Sequence, residues 1–351
     1  MERRTEGDAD NELTTGANEA SRRFQVLVLD GGGYRGMFSA ALLAGLEEVT
    51  GKRLVDHFDL IVGTSTGGII ALGLAAGRTP SEILDFYAAD GPAIFNHERR
   101  RRMRHLVAPK YDARKLAGPL SKVLGGKVLG EAAVPLCIPS YDLQTNQLYL
   151  IRTPHHPSLR SDWRMPMLDV AMATSAAPTY FKSHAWQGHR FIDGGVWANS
   201  PTLVGLIEAR RIFGAALENI RVLNIGTMIN SPNRPRSLDR GGAFAWSTHI
   251  ADLMMRAQGE QSKNTLELLL RRDRALRIDP SVPDELRRID NIDPKAYLAH
   301  GRDQTRRHSD TVLKTFLDHT AREYVPCYGP NASTLDAHTG SDGVDTSGER
   351  R

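Results

Sequence analysis

The chain has 351 residues, 40% of them apolar and 25% charged, with a formal net charge of +4. Those proportions are ordinary for a soluble globular protein, and the length fits one large or two modest domains. Only two cysteines are present, Cys137 and Cys327, which excludes a disulfide framework.

Residues 1–22 are polar and lack the apolar core of a signal peptide, so they are predicted to be disordered and the protein cytoplasmic. FQVLVL, residues 24–29, is a short apolar run read as a buried strand. From Met37 to Val49 the apolar residues recur at helical spacing, and Thr50-Gly51 ends that helix. FDLIVG, 58–63, reads as a second strand, and Gly67 to Ala76 as a second helix. The run Leu60–Gly77 is apolar but broken by Thr64, Ser65, Thr66 and several glycines, so it is not a membrane span. Further strands are expected at 134–138, 147–152, 189–192 and 221–225, and further helices at 81–90, 166–176, 201–213 and 243–272. The alternation implies one α/β domain over 23–328, with a mostly parallel sheet between helical layers. Residues 91–130, basic and punctuated by glycine, read as an insertion or lid, and 329–351 as a disordered tail.

Two glycine-rich turns carry the chemistry. In LVLDGGGYRGMF, Gly31, Gly33 and Gly36 spell G-x-G-x-x-G straight after a strand, and two guests fit such a loop: a phosphate or a reacting carbonyl oxygen. In IVGTSTGG, Ser65 stands in G-x-S-x-G between a strand and a helix, the setting in which a serine is held exposed on a sharp turn. Gly63 and Gly67 keep that turn clear of side chains, and the helix N-terminus favours a developing negative charge. Ligands of parallel sheets sit beyond the carboxyl ends of the strands, so both turns are expected at one edge. The second strand ends in Gly-Thr-Ser where a dinucleotide fold would want an acid, which favours an oxyanion site at the triple glycine.

A base is then required. His189 precedes the nearest good acid, and no histidine stands in a recognisable catalytic loop. Asp193, in FIDGGVW, ends an apolar strand and is followed by Gly194 and Gly195. Taken alone it is a plain Asp-Gly turn; beside Ser65 it is a candidate base.

DGGGYRG (30–36), GTSTG (63–67), ATSAAP (173–178) and DGG (193–195), in that order, resemble the motifs of patatin-like phospholipases. The resemblance spans about Phe24 to Thr227 and implies a three-layer patatin-like fold and a Ser–Asp dyad without histidine. It implies Ser65 as nucleophile, Asp193 as general base, and Gly32 and Gly33 as the oxyanion hole with Arg35 supporting that loop. It implies membrane phospholipids as substrate and neither metal nor other cofactor. More narrowly, LDGGGYRGMFSAALLAGLEE and a C-terminal helical segment resemble the phospholipase effectors of bacterial cyclic-nucleotide antiphage signalling (CBASS). That resemblance implies a cyclic dinucleotide activator, action at the inner membrane surface, and an anion site for which Arg99–Arg102 or Arg271, Arg272 and Arg274 are candidates. Solvated surface arginines are the plainer reading of each. Nucleic acid is not expected, because no aromatic residues are interleaved with the arginine run that ends at Arg104. Two alternatives stay open: an esterase with a Ser-His-Asp triad using His249, His300, His308 or His319, and a nucleotide-binding module using Gly31–Gly36.

Overall fold

The structure is a computed structural model and describes residues 22–95, 108–228, 236–242, 246, 249–282, 286 and 288–332. Residues 1–21 of the predicted N-terminal segment, 333–351 of the predicted tail and the arginine run at 99–104 lie outside them.

Among the described residues eight strands form one sheet: β1 (Phe24–Leu29), β2 (Leu60–Gly63), β3 (Leu136–Asp142), β4 (Gln147–Arg152), β5 (His184–Trp186), β6 (His189–Asp193), β7 (Ile220–Ile225) and β8 (Ala275–Ile278). The order is β5-β6-β3-β2-β1-β7-β8, with β4 also paired to β3. From β3 to β8 the neighbours are parallel, whereas β4, β5 and β6 pair antiparallel. The mostly parallel sheet expected from the sequence is therefore present, with an antiparallel flank. β1 and β2 are adjacent, as their turns required.

The register around β3 positions the site. β4 occupies one edge of β3 along residues 137–142. The other edge is shared: β2 pairs with Leu136 and Cys137, and β6 pairs with Ser140 to Asp142. β2 runs with β3 and β6 runs against it, so the C-terminal ends of β2 and β6 point at each other along one edge. Ser65 leaves the first end and Asp193 the second, which joins residues 128 positions apart in the chain.

Side chains of β1 alternate between the two faces, as strand geometry demands. Leu27 and Leu29 enter one core, with α1 (Gly36–Thr50), α2 (Thr66–Ala75), α3 (Pro80–Ile94), α4 (Ala113–Leu124) and α5 (Met167–Thr174). Val26 and Val28 enter the other, with α6 (Thr202–Arg211) and α7 (Ile250–Leu269). A final helix, α8 (Pro294–Thr315), packs on α1, where Gly45 faces Thr305 and Gly301 faces Ala41 so closely that a Cβ on either glycine would collide. α2 is buried on every side, as its sequence TGGIIALGLA, apolar all round, predicts.

Four elements were not expected: β5, β8, α4 and α8. β5 and β8 have only three and four residues, too few to show a period. α4 falls within the predicted insertion; the Asp112 side chain caps it by accepting from Arg114 N, and Leu116, Leu120 and Leu124 are buried. α7 covers 250–269 of the helix expected at 243–272.

Candidate active site

Ser65 occupies the turn between β2 and α2 with φ 54° and ψ −122°. A side chain at positive φ of this kind costs about 1–3 kcal/mol and persists only where the surroundings enforce it. The enforcement is visible. A Cβ on Gly67 would strike the Leu29 carbonyl, and one on Gly63 would strike Gly67. The Ser65 amide donates to Thr174 Oγ1 at 3.0 Å, and that hydroxyl donates to the Pro139 carbonyl at 2.7 Å. The turn is thereby tied to α5 and β3, and the hydroxyl stands at the N-terminal end of a ten-residue helix.

The Ser65 hydroxyl donates to Asp193 Oδ2 at 2.6 Å. The second carboxylate oxygen accepts from Gly195 N at 2.7 Å, which the absence of a side chain at Gly194 allows, because a Cβ there would strike the Pro139 carbonyl. Asp193 is buried, and burial pushes its carboxyl up to about 6 against the opposing effect of those two hydrogen bonds. A carboxylate poised near neutrality and touching a hydroxyl can take its proton.

The triple glycine lies beside this pair, and its carbonyls show how it is aimed. The Gly31 carbonyl accepts from Thr227 Oγ1 at 2.8 Å and from Asn199 Nδ2 at 3.3 Å. The Gly32 carbonyl accepts from Arg35 Nε at 3.2 Å. In a trans peptide the N–H points opposite to the carbonyl, so these anchors turn the amides of Gly32 and Gly33 the other way. Both residues line the cavity that holds Ser65 and Asp193, and neither amide has a hydrogen-bond acceptor among the described residues. Gly33 needs its glycine, because φ is 61° and a Cβ would strike the Ile289 carbonyl.

The Gly31 amide is already donated to the Asn199 carbonyl at 2.8 Å, so within the 31–33 loop only Gly32 and Gly33 offer free donors. Arg35 does not line the cavity: it is fully buried behind the loop and acts on the far side of the Gly32 peptide. Gly36 opens α1, where a Cβ would collide with Thr66.

The cavity measures about 240 Å³. Beyond Ser65 its wall is apolar, with Phe86, Ile94, Phe95, Leu116, Phe181 and Met255 among the lining residues. Among the described residues no histidine lines it. His319 pairs with Asp59 before β2, at the opposite end of the strand from Ser65. His300 and His308 lie on α8, and His249 precedes the first residue of α7. Arg271 and Arg272 are exposed in the turn between α7 and β8. Among the described residues no helix is long and apolar enough to cross a membrane.

Sequence reasoning missed Thr174, Asn199, Thr227 and the buried pair Asp30–Arg277. Thr174 lies inside the ATSAAP motif, and Asn199 lies six residues after Asp193 in a polar turn. Thr227 and Arg277 carry no local signal.

The family model for patatin-like phospholipase matches residues 27–206. A cGAMP-activated phospholipase of Pseudomonas aeruginosa is 34% identical, over 90% of this chain and 98% of that protein. Proteins of the same name from Vibrio cholerae and Escherichia coli are each 36% identical, over 58% and 59% of this chain and 64% and 62% of theirs. The order of the motifs, the sheet that brings them together and these similarities agree: the chain belongs to the patatin-like phospholipase family.

Proposed function

We propose that this patatin-family phospholipase cleaves fatty-acyl esters of membrane phospholipids through a Ser65–Asp193 dyad, and that a cyclic dinucleotide switches it on in antiphage defence. The observation that carries the dyad is the 2.6 Å hydrogen bond from the Ser65 hydroxyl to Asp193, beside two amides with no acceptor and at the end of an apolar cavity. Asp193 accepts the Ser65 proton as Oγ attacks the ester carbonyl. The amides of Gly32 and Gly33 hold the tetrahedral oxyanion, each contributing about 3 kcal/mol to the transition state. The intermediate collapses, the leaving alcohol takes the proton from Asp193, and an acyl-serine remains. Water then attacks the acyl carbon, losing its proton to Asp193; the second intermediate expels Ser65 Oγ, which takes that proton back, and the fatty acid leaves. The acyl chain occupies the apolar wall between Phe86 and Phe181. No metal takes part in these steps.

Activation by a cyclic dinucleotide, and action at the inner face of the cytoplasmic membrane, rest on the names of the three relatives and on the resemblance to antiphage effectors. The test is fatty-acid release from phospholipid vesicles by pure protein, with and without a panel of cyclic dinucleotides. The expected result is a low rate that one member of the panel raises at least tenfold. Equal rates throughout remove the activation and leave the hydrolase. No release of fatty acid under any condition removes both.

A further inference from the structure

The family match ends at residue 206, yet part of the support of the glycine loop comes from residues beyond it. Arg277, on β8, is the centre of that support. Its guanidinium meets Asp30 Oδ2 at 2.8 Å and Asp279 Oδ2 at 2.6 Å, and Nη1 donates to Ser200 Oγ at 3.3 Å and to Asn224 Oδ1. Each partner adjoins a support of Gly31. Asp30 precedes Gly31 directly, and its Oδ1 accepts from Ser200 Oγ at 2.7 Å and Asn224 Nδ2 at 2.8 Å. Ser200 follows Asn199, whose carbonyl and side chain hold both sides of Gly31. Asp279 Oδ1 accepts from Met228 N at 2.9 Å and so fixes the turn that carries Thr227, the hydroxyl on the Gly31 carbonyl.

We infer that Arg277 is a positioning residue for the oxyanion loop: one buried cation clamps the residue before Gly31 and the turn that grips its carbonyl, and so sets where the Gly32 and Gly33 amides point. The inference rests on the hydrolase reading above. It follows from the planar fork of the guanidinium: Nη2 meets both carboxylates while Nη1 reaches Ser200 and Asn224, whereas a lysine keeps the charge and offers one nitrogen in place of two. The two carboxylate side chains are only 3% exposed, so deleting the cation would leave uncompensated charge, whereas lysine leaves the balance intact. A small displacement of donors that act on a developing charge lowers the turnover number and spares ground-state binding.

The test is Arg277→Lys in the full chain, assayed on a short-chain soluble ester together with binding of an alkyl boronic acid, whose adduct with Ser65 places a negative oxygen at the loop. The wild-type rate on this ester tests the hydrolase reading; the ratio of variant to wild type tests the clamp. We expect kcat to fall about tenfold to a hundredfold with KM within twofold, and boronate affinity to fall by a similar factor. Thr227→Val, nearly isosteric, is expected to lose about threefold to tenfold in kcat, and the double variant less than the product of the two, because both act on one carbonyl. Wild-type kcat in Arg277→Lys overturns the inference, as does a fall in kcat with unchanged boronate affinity. Should Arg277→Lys fail to fold, wild-type kcat and boronate affinity in Thr227→Val overturn it equally.

Discussion

Two carboxylates on paired strands, Asp142 at the end of β3 and Asp193 at the end of β6, show how surroundings divide one side-chain type into two uses. Asp142 accepts from His189 Nδ1 at 2.9 Å, Thr145 Oγ1 at 2.8 Å, and the amides of Gln144 and Arg190 at 2.9 and 3.1 Å. Those four donors hold its carboxyl well below the ordinary 3.8 despite burial. Asp193 accepts from Ser65 and Gly195, and burial prevails, raising it to about 6. An imidazole on a carboxylate, as in the His189–Asp142 pair, is the more conventional catalytic couple. In the structure it is a strand-end clamp, and the proposed base is the carboxylate with fewer donors.

The two acids also have opposite effects on stability. The Asp142 carboxyl is lowered in the folded state, so its stabilisation is complete above about pH 5 and is lost as the pH falls toward the folded value. Asp193 is raised, so between about pH 4 and 6 the folded state holds a proton that the unfolded chain releases, and stability declines as the pH rises through that window. The proposed catalytic carboxylate thus carries a cost in stability, the common pattern where a strained or dry site serves activity.

The largest effect expected on breaking this contrast is at the dyad. Ser65→Ala and Asp193→Asn should each lower fatty-acid release by about 10⁴-fold or more, as removing a nucleophile or its base does elsewhere. Circular dichroism should be unchanged, and the Tm of Asp193→Asn no lower than that of the wild type. Activity in either variant within tenfold of wild type would end the assignment. Next is Asp142→Asn, expected to destabilise the fold by about 2 kcal/mol at pH 7, the scale of hydrogen bonds to a charged group, while kcat stays within twofold. Urea unfolding checks the first and ester hydrolysis the second. Smallest is His189→Gln, which should cost less than about 1 kcal/mol and leave kcat unchanged. A large loss of kcat there would return a histidine to the mechanism.

What the sequence revealed of this site is what lies at the ends of buried strands. β1 is an apolar run apart from Gln25 and is followed by Asp30 and three glycines, and β2 is an apolar run that ends in Gly63 before the turn that holds Ser65. Asp193 was legible as a strand-end acid because glycine follows it twice. The shared edge of β3 was not legible, since a two-residue pairing with β2 followed by an antiparallel pairing with β6 leaves no mark on either strand. Nor were the braces. Thr227 and Arg277 reach the glycine loop from 196 and 247 positions away, counted from Gly31 to Thr227 and from Asp30 to Arg277. Arg277 sits in RRDRALRIDP, where an arginine whose side chain is 11% exposed looks like the three others in the run.

The central claim is that Asp193 activates Ser65. The most direct measurement is the rate of covalent labelling of Ser65 by a fluorophosphonate between pH 4.5 and 8.5, in wild type and Asp193→Asn. The account predicts a wild-type rate that rises with pH along a single titration centred near 6, as the carboxylate forms, and a slow, flat profile in the variant. Labelling of Asp193→Asn at the wild-type rate, or with the same rise near pH 6, would contradict it.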